Sequence, residues 1–176
     1  MKAISFTGLA RCGKDTAADY IVKKYGFHKL VMSDELALEL AKQGKEDTKM
    51  NLALMGQELR EKLGDDIVAK MVFEKAKKNE WKKVVFVGPR SISEIEFFKE
   101  KIPDFKLVAI KAGEGKRFGR KSRKDGQTKE TFFERDEHDS TEFELDKVIA
   151  MTTHTIENNS TIDEFQRAID GLMQNI

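Results

Sequence analysis

Short apolar runs alternate along the chain with longer segments in which apolar residues recur every three or four positions. The first run covers residues 2–7 and ends at Gly8, and residues 14–25 then show helical spacing. Short runs of this kind are typical of strands buried in a parallel sheet, and the longer segments predict helices. Further runs that predict strands lie at 27–32, 83–87, 105–110 and, as a short edge strand, at 154–157.

Helix ends and buried faces are predicted between these strands. Ser91 with Glu94, and Thr161 with Glu164, have the spacing of a capping box. Helices are also predicted from Ser33-Asp34 to Gly44, over 49–63, from Ile67 to Ala76 and at the end of the segment 145–151. The helix over 49–63 is expected to bury Leu52, Met55, Leu59 and Leu63, and the last helix Ile162, Phe165, Ile169, Leu172 and Ile176.

The alternation of strands and helices predicts the fold class. A chain of 176 residues suits one domain with a three-layer core, so we expect a single α/β domain over residues 1–176. Its parallel sheet would carry helices on both faces, joined by right-handed connections.

Composition excludes several classes of function. The net charge is +1, so no global basic excess predicts binding to nucleic acid or to an anionic membrane. No apolar run approaches the length of a membrane span or a signal peptide, and we expect a cytoplasmic protein. The single cysteine rules out an internal disulfide, and three scattered histidines lack zinc-ligand spacing.

The segment after the first strand matches the phosphate-binding pattern G-x-x-x-x-G-K. Glycines permit unusual torsions, successive N–H groups can surround a phosphate, and the helix that follows presents its positive end. The pattern predicts a nucleotide as ligand, with Lys14 at the β and γ phosphates. The alternative is a glycine turn that contains lysine by chance. The predicted nucleotide-binding residues are Gly8, Ala10, Arg11, Cys12, Gly13, Lys14, Asp15 and Thr16.

Asp15 replaces the Ser or Thr that normally completes this pattern. Its carboxylate could bind Mg²⁺ directly or through water. Alternatively, Thr16 or water serves the metal, and Asp15 only favours the helix N-terminus by its charge. Cys12 is interpreted as a small residue tolerated beside phosphate and not as a nucleophile.

Two segments resemble a known family. Residues 6–27 (FTGLARCGKDTAADYIVKKYGF) are similar to the opening of P-loop nucleoside monophosphate kinase-like proteins, including phage-type deoxynucleoside monophosphate kinases. Within 84–150, the stretches VVFVGPRSISEIEFFKEKIPDFKLVAI, RFGR and FFERDEHDSTEFELDKVIA resemble archaeal adenylate-kinase-related and dephospho-CoA-kinase-like proteins. The resemblance implies five parallel strands in the order 2-3-1-4-5, ATP with Mg²⁺, an acceptor-binding insert at about 34–80 and an arginine-bearing lid at about 112–138.

The resemblance also implies roles for individual residues. Asp34 resembles a carboxylate that contacts the acceptor hydroxyl, although a helix N-cap is an equally simple reading of its position. Arg60 and Arg90 resemble arginines that bind the acceptor phosphate; Arg60 could instead be simply exposed, whereas Arg90 follows a strand end, where ligands of α/β sheets collect. The lid arginines would be Arg117, Arg120 and Arg123. The predicted catalytic residues are Lys14, Asp34, Arg117 and Arg120. Arg120 would also bind the nucleotide.

The basic segment 116–124 has two other interpretations. It could be a solvated helix that pairs with the acidic segment 130–146, or a patch that binds RNA without specificity. Arg135, which is flanked by carboxylates, could contact the donor nucleotide or form a surface ion pair.

One position departs from the family pattern. Many relatives carry an aspartate near the end of the third strand that engages the Mg²⁺ shell, and Val87 stands there in this chain. Either Asp15 supplies the missing carboxylate, or phosphoryl transfer is slow or absent. The sequence therefore predicts an ATP-dependent kinase of a small nucleotide-like acceptor, a nucleoside monophosphate or dephospho-CoA. The alternatives are a P-loop ATPase switch and, third, a non-enzymatic RNA-associated role.

Overall fold

The computed structural model describes residues 1–120, 128, 130–134, 137 and 145–176 of the chain. Within these residues five strands form one sheet in the order β2-β3-β1-β4-β5, and every neighbouring pair is parallel. The predicted parallel sheet and the strand order implied by the resemblance are confirmed. The strands are β1 (Lys2–Thr7), β2 (His28–Val31), β3 (Lys83–Val87), β4 (Asp104–Lys111) and β5 (His154–Glu157).

Helices connect these strands and cover both faces of the sheet. Residues 130–134 are also helical, and none of the helices in the described part of the chain has the length and apolar character needed to cross a bilayer. The helices used below are α1 (Lys14–Tyr25), α2 (Met32–Lys42), α3 (Lys49–Leu63), α4 (Ile67–Lys78), α5 (Ile92–Lys101), α6 (Glu114–Gly119), α7 (Leu145–Ala150) and α8 (Ile162–Asn175).

Alternate side chains of each central strand enter opposite layers of the core. On β3, Val84 and Phe86 join the first cluster, which packs helices α2 to α5 against the sheet. Val85 and Val87 point to the second cluster, which packs α1 and α8 against the other face. This two-residue alternation, with both sides apolar, is what a buried parallel strand requires.

Several helix boundaries differ from the sequence prediction. Helix α2 begins at Met32 with Val31 as its N-cap and no side-chain cap, so the interpretation of Asp34 as an N-cap is wrong. Both predicted capping boxes are confirmed, at Ser91–Glu94 and Thr161–Glu164. Leu63 and Ile162, expected in buried stripes, are exposed. Each is the terminal residue of its helix, where the neighbouring layer no longer covers the side chain.

Candidate functional site

The carboxyl ends of all five strands meet at one edge of the sheet because every pair is parallel. The loop from Gly8 to Gly13 leaves β1 at this edge and leads into α1. Ligands of open α/β sheets bind at this edge, where the loops after the strands form a crevice. We call residues 8–14 the phosphate loop.

The backbone of the phosphate loop requires glycine at both ends. Gly8 and Gly13 have φ values of 138° and 112°, and Arg11 lies between them at 58°. A Cβ added at Gly8 would stand 2.3 Å from the carbonyl oxygen of Ile110. At Gly13 it would stand 2.3 Å from the side-chain nitrogen of Asn158. Torsion and space together therefore exclude any larger residue at the two positions that the motif conserves as glycine.

Lys14 folds over the phosphate loop from the first turn of α1. Its Nζ donates to the carbonyl oxygens of Gly8 at 2.6 Å and Leu9 at 2.9 Å. The Sγ atom of buried Cys12 lies 3.7 Å from the same nitrogen. The ammonium is thus held at the loop backbone beside the N-terminus of α1, whose first N–H groups have no intrahelical acceptor.

Two predicted lid arginines bind the outer side of the same loop. Arg117 is 2% exposed, and its guanidinium donates to Ala112 O at 3.2 Å and Ala10 O at 3.3 Å. Arg120 donates to the carbonyl oxygens of Arg11 and Cys12, both at 3.2 Å. These contacts rule out a fully solvated helix for this part of the basic segment. They brace the loop through its carbonyl groups.

Two carboxylates of α1 share one lysine of β2 beside the loop. Nζ of Lys29, on β2, lies 2.8 Å from Asp15 Oδ1 and 3.0 Å from Asp19 Oδ1. Burial works against the charged form of Lys29, but the hydrogen bonds that it donates to Asp15 and Asp19 raise its pKa overall. The lysine therefore stays cationic and partly neutralises this acidic corner.

Asp34 belongs to the same corner. Desolvation raises the pKa of its carboxyl, and repulsion from Asp15 adds to this, whereas attraction by Lys29 opposes it. Mg²⁺ is commonly bound by one or two carboxylates together with phosphate oxygens. The described residues contain no group of three or more metal-ligating side chains. Asp15 and Asp34 carry oxygen ligands of the right kind, so their chemistry fits a magnesium ion that is bound largely by phosphate.

Arg60 and Arg90 are joined by a buried carboxylate. Glu94, 1% exposed, accepts a hydrogen bond from Arg60 at 3.0 Å and from the backbone N–H of Arg90 at 2.8 Å. The side chain of Arg60 is 15% exposed, so the interpretation of this residue as simply exposed is wrong. Gly56, one turn earlier on α3, leaves room for the guanidinium, because a Cβ there would stand 2.9 Å from it.

Val87 ends β3 in an apolar setting. It pairs with Phe6 and Val31 in the sheet and is buried in the second cluster. Just beyond it, Thr7 Oγ1 donates to Pro89 O at 3.2 Å and ties the ends of β1 and β3 together. Val87 therefore contributes packing at the position where the resemblance implies an aspartate.

The structure brings most of the predicted site residues to this one edge. The residues from Gly8 to Thr16 surround the start of α1, and Asp34 lies in the first turn of α2. Arg117 on α6 and Arg120 directly after it bind the phosphate loop. The predictions for Arg123 and Arg135 lie outside the described residues. The roles predicted for all these side chains stay predictions.

Three residues of the candidate site were not predicted from the sequence: Lys29, Glu94 and Asn158. Asn158 follows β5 directly and donates from Nδ2 to Cys12 O at 2.8 Å. Its place just beyond a strand end was the available signal. Glu94 was recognised only as part of a capping box, and nothing in the spacing linked it to Arg60.

Curated proteins of similar sequence come from archaea. A UPF0200 protein of Thermococcus onnurineus is 33% identical over 181 residues, which cover 98% of this chain and 97% of that protein. A UPF0200/UPF0201 protein of Archaeoglobus fulgidus is 35% identical over 180 residues, and this chain spans 55% of its length. No protein-family model matches the chain.

Solved structures with a similar fold include small-molecule kinases. Shikimate kinase from Bacteroides thetaiotaomicron aligns over 99% of this chain and 97% of its own, with a TM-score of 0.65 and 14% identity. A gluconokinase from Sinorhizobium meliloti aligns over 99% of this chain and 93% of its own, with a TM-score of 0.55 and 13% identity. At such identities the comparison establishes a shared P-loop kinase fold.

Proposed function

The chain belongs to the UPF0200 family and shares its fold with P-loop kinases, and from these premises we propose that it is an ATP-dependent phosphotransferase. It would move the γ-phosphate of ATP to a small nucleotide-like acceptor, a nucleoside monophosphate or dephospho-CoA. The acceptor-binding insert would lie at about 34–80 and the lid at about 112–138.

The geometry of the phosphate loop supports this proposal most directly. Left-handed torsions at Gly8, Arg11 and Gly13 turn the chain tightly just before α1, and Lys14 lies at the turn. A helix N-terminus with an adjacent ammonium favours a polyanion. On binding a triphosphate, Lys14 would exchange the carbonyl oxygens of Gly8 and Leu9 for phosphate oxygens, which are stronger acceptors for a cation.

The side chains around the loop have the charges that phosphoryl transfer requires. Positioning and charge neutralisation dominate this chemistry. Mg²⁺, held by Asp15 directly or through water, would neutralise charge on the β and γ phosphates. Asp34 would orient an acceptor hydroxyl and accept its proton, a task that its raised pKa favours. Arg60 and Arg90 would bind the acceptor phosphate.

Val87 favours a second candidate, a P-loop ATPase that acts as a switch. An apolar side chain at the end of β3 cannot orient water bound to a metal ion, which would slow transfer. Under this reading ATP is hydrolysed slowly without an acceptor, and closure around it signals to a partner. The two candidates differ in whether an acceptor stimulates ADP release.

Replacing Lys14 by alanine tests the nucleotide site. We expect Lys14→Ala to weaken ATP binding on the order of 100-fold, because charge-assisted hydrogen bonds to phosphate are lost. Calorimetric titration with ATP measures this effect. Lys23→Ala, on an exposed position of the same helix, is the matched control and should bind like the wild type. Equal ATP affinity in all three proteins would refute the site.

The reaction is tested separately with the wild-type protein. A coupled assay measures ADP release with MgATP and with each nucleoside monophosphate or dephospho-CoA. Stimulation by one of these acceptors, with appearance of its phosphorylated product, supports the kinase. Slow ADP release that no acceptor changes supports the switch. Absence of both ATP binding and ADP release contradicts both candidates.

A further inference from the structure

We propose that Asn158 is a positioning residue for the phosphate loop, which it orients through the peptide bond between Cys12 and Gly13. This inference rests on the proposed function, since it assigns the residue a part in binding the phosphates of ATP. Among the contacts that the structure describes, Asn158 has none with Asp15 or Asp34 and none with Arg60 or Arg90.

Two hydrogen bonds hold the backbone of Asn158 in place. Its backbone N–H donates to Lys111 O at 2.7 Å, which ties the end of β5 to the end of β4. Its carbonyl oxygen accepts a hydrogen bond from Arg120 at 2.6 Å. The residue is buried, so its side-chain amide has few alternative positions. Anchoring of this kind gives a side chain a defined direction.

The side-chain amide is directed at one carbonyl group of the phosphate loop. Its Nδ2 donates to Cys12 O at 2.8 Å, and Arg120 donates to the same oxygen at 3.2 Å. In a trans peptide the carbonyl and the following N–H point in opposite directions. A Cys12 carbonyl held toward Asn158 therefore turns the N–H of Gly13 away from it, to the opposite side of the loop.

The close packing at Gly13 shows how tightly this arrangement is built. A Cβ on Gly13 would stand 2.3 Å from Nδ2 of Asn158, so the amide occupies the space that a side chain would need. With Asn158 in this place, residue 13 must be glycine. Cys12 is itself buried, so its carbonyl oxygen bonds to Asn158 and Arg120 and not to solvent.

The variant Asn158→Asp tests this role with almost no change in volume. It replaces the amide donor with an oxygen that repels the Cys12 carbonyl, so the peptide should rotate. Asn158→Ala removes the donor without adding charge and is measured in parallel. The matched control is Asn159→Asp, which makes the same chemical change one residue later. Its Oδ1 still accepts the hydrogen bond from the N–H of Gly113. The change removes only the hydrogen bond from Asn159 Nδ2 to Glu157, which is exposed and does not involve the phosphate loop.

Binding is measured with ATP, inorganic tripolyphosphate and adenosine. We expect both Asn158 variants to bind ATP and tripolyphosphate at least about tenfold more weakly, the factor for losing a hydrogen bond to a buried group. Affinity for adenosine should not change. A merely structural role would weaken all three ligands together through loss of folded protein. Asn159→Asp should match the wild type throughout.

The amide NMR resonances of Gly13 and Lys14 report the loop without any nucleotide. We expect them to shift in both Asn158 variants and to stay in place in Asn159→Asp. Wild-type affinities together with unshifted resonances would overturn the inference. If the wild-type protein binds neither ATP nor tripolyphosphate, the proposed function fails, and the resonances alone decide whether Asn158 positions the loop. If one of the two Asn158 variants does not fold, the other one decides the test.

Discussion

Gly8 and Gly26 both have positive φ values, but only Gly8 is closely packed. This difference in packing should appear in the free energy of unfolding of their alanine variants. Gly8 faces the backbone oxygen of Ile110, which cannot move aside, whereas a Cβ at Gly26 would meet nothing within 4 Å. We expect Gly8→Ala to lower the free energy of unfolding by at least about 3 kcal/mol, because strain and collision add. Gly26→Ala introduces backbone strain without a collision, and we expect it to lower the free energy of unfolding by about 1 kcal/mol. Urea unfolding compares the two; equal losses would contradict the described packing at Gly8.

Residues of the site were predictable from sequence where their spacing is local. The glycines and Lys14 lie within one short motif, and each element of that motif has a physical requirement. Lys29, Glu94 and Asn158 escaped because their partners lie on other elements, which only the tertiary fold brings close. Asn158 reaches Cys12 only because β5 and β1 end at the same edge of a parallel sheet, on either side of β4.

At the scale of elements, α1 and α8 are held together by a polar cluster as well as by the second apolar cluster. Asp170 on α8 accepts hydrogen bonds from Tyr20 and Tyr25 and pairs with Lys24 at 2.7 Å. The hydrogen bond from Lys24 is the main cause that lowers the pKa of Asp170, followed by that from Tyr25. Its charged form therefore stabilises the packing of the two helices.

This cluster predicts a dependence of stability on pH. A lowered pKa in the folded state means that the contribution is present above the ordinary carboxyl pKa of 3.8 and is lost as pH falls through the lowered value. We expect Asp170→Asn to melt below the wild type at pH 7 and to approach it in acid. Melting curves across this range measure the difference, with Asp47→Asn, in an exposed loop, as control. A difference that persists unchanged in acid would exclude the charge as its cause.

Element types were predictable because periodicity and capping residues act within a few positions. The exact helix limits were not, as at α2, where the chain enters the helix directly from β2 without a side-chain cap. The exposure of Leu63 and Ile162 depends on where a neighbouring element stops, which no local pattern contains. Tertiary packing decides such terminal positions.

At the scale of the whole molecule, one sheet separates two apolar clusters and belongs to both. Val84 and Val85 are neighbours in β3 yet lie in different clusters, so neither cluster can lose its strand residues without disturbing the other. Alternation of strands and helices was enough to predict this architecture. The strand order required the resemblance, because periodicity identifies strands without saying which are neighbours.

A shared sheet predicts that both faces unfold in one transition. Trp81, the single tryptophan of the chain, packs against the first cluster, whereas Ile169 of α8 is fully buried in the second. We expect Ile169→Ala to destabilise the protein by about 2–5 kcal/mol and to shift the Trp81 fluorescence transition as far as the circular dichroism transition. Ile162→Ala makes the same replacement at an exposed position of α8 and should shift neither signal much. If Ile169→Ala left the Trp81 transition in place, the two faces would unfold independently, and the single cooperative domain would have to be abandoned.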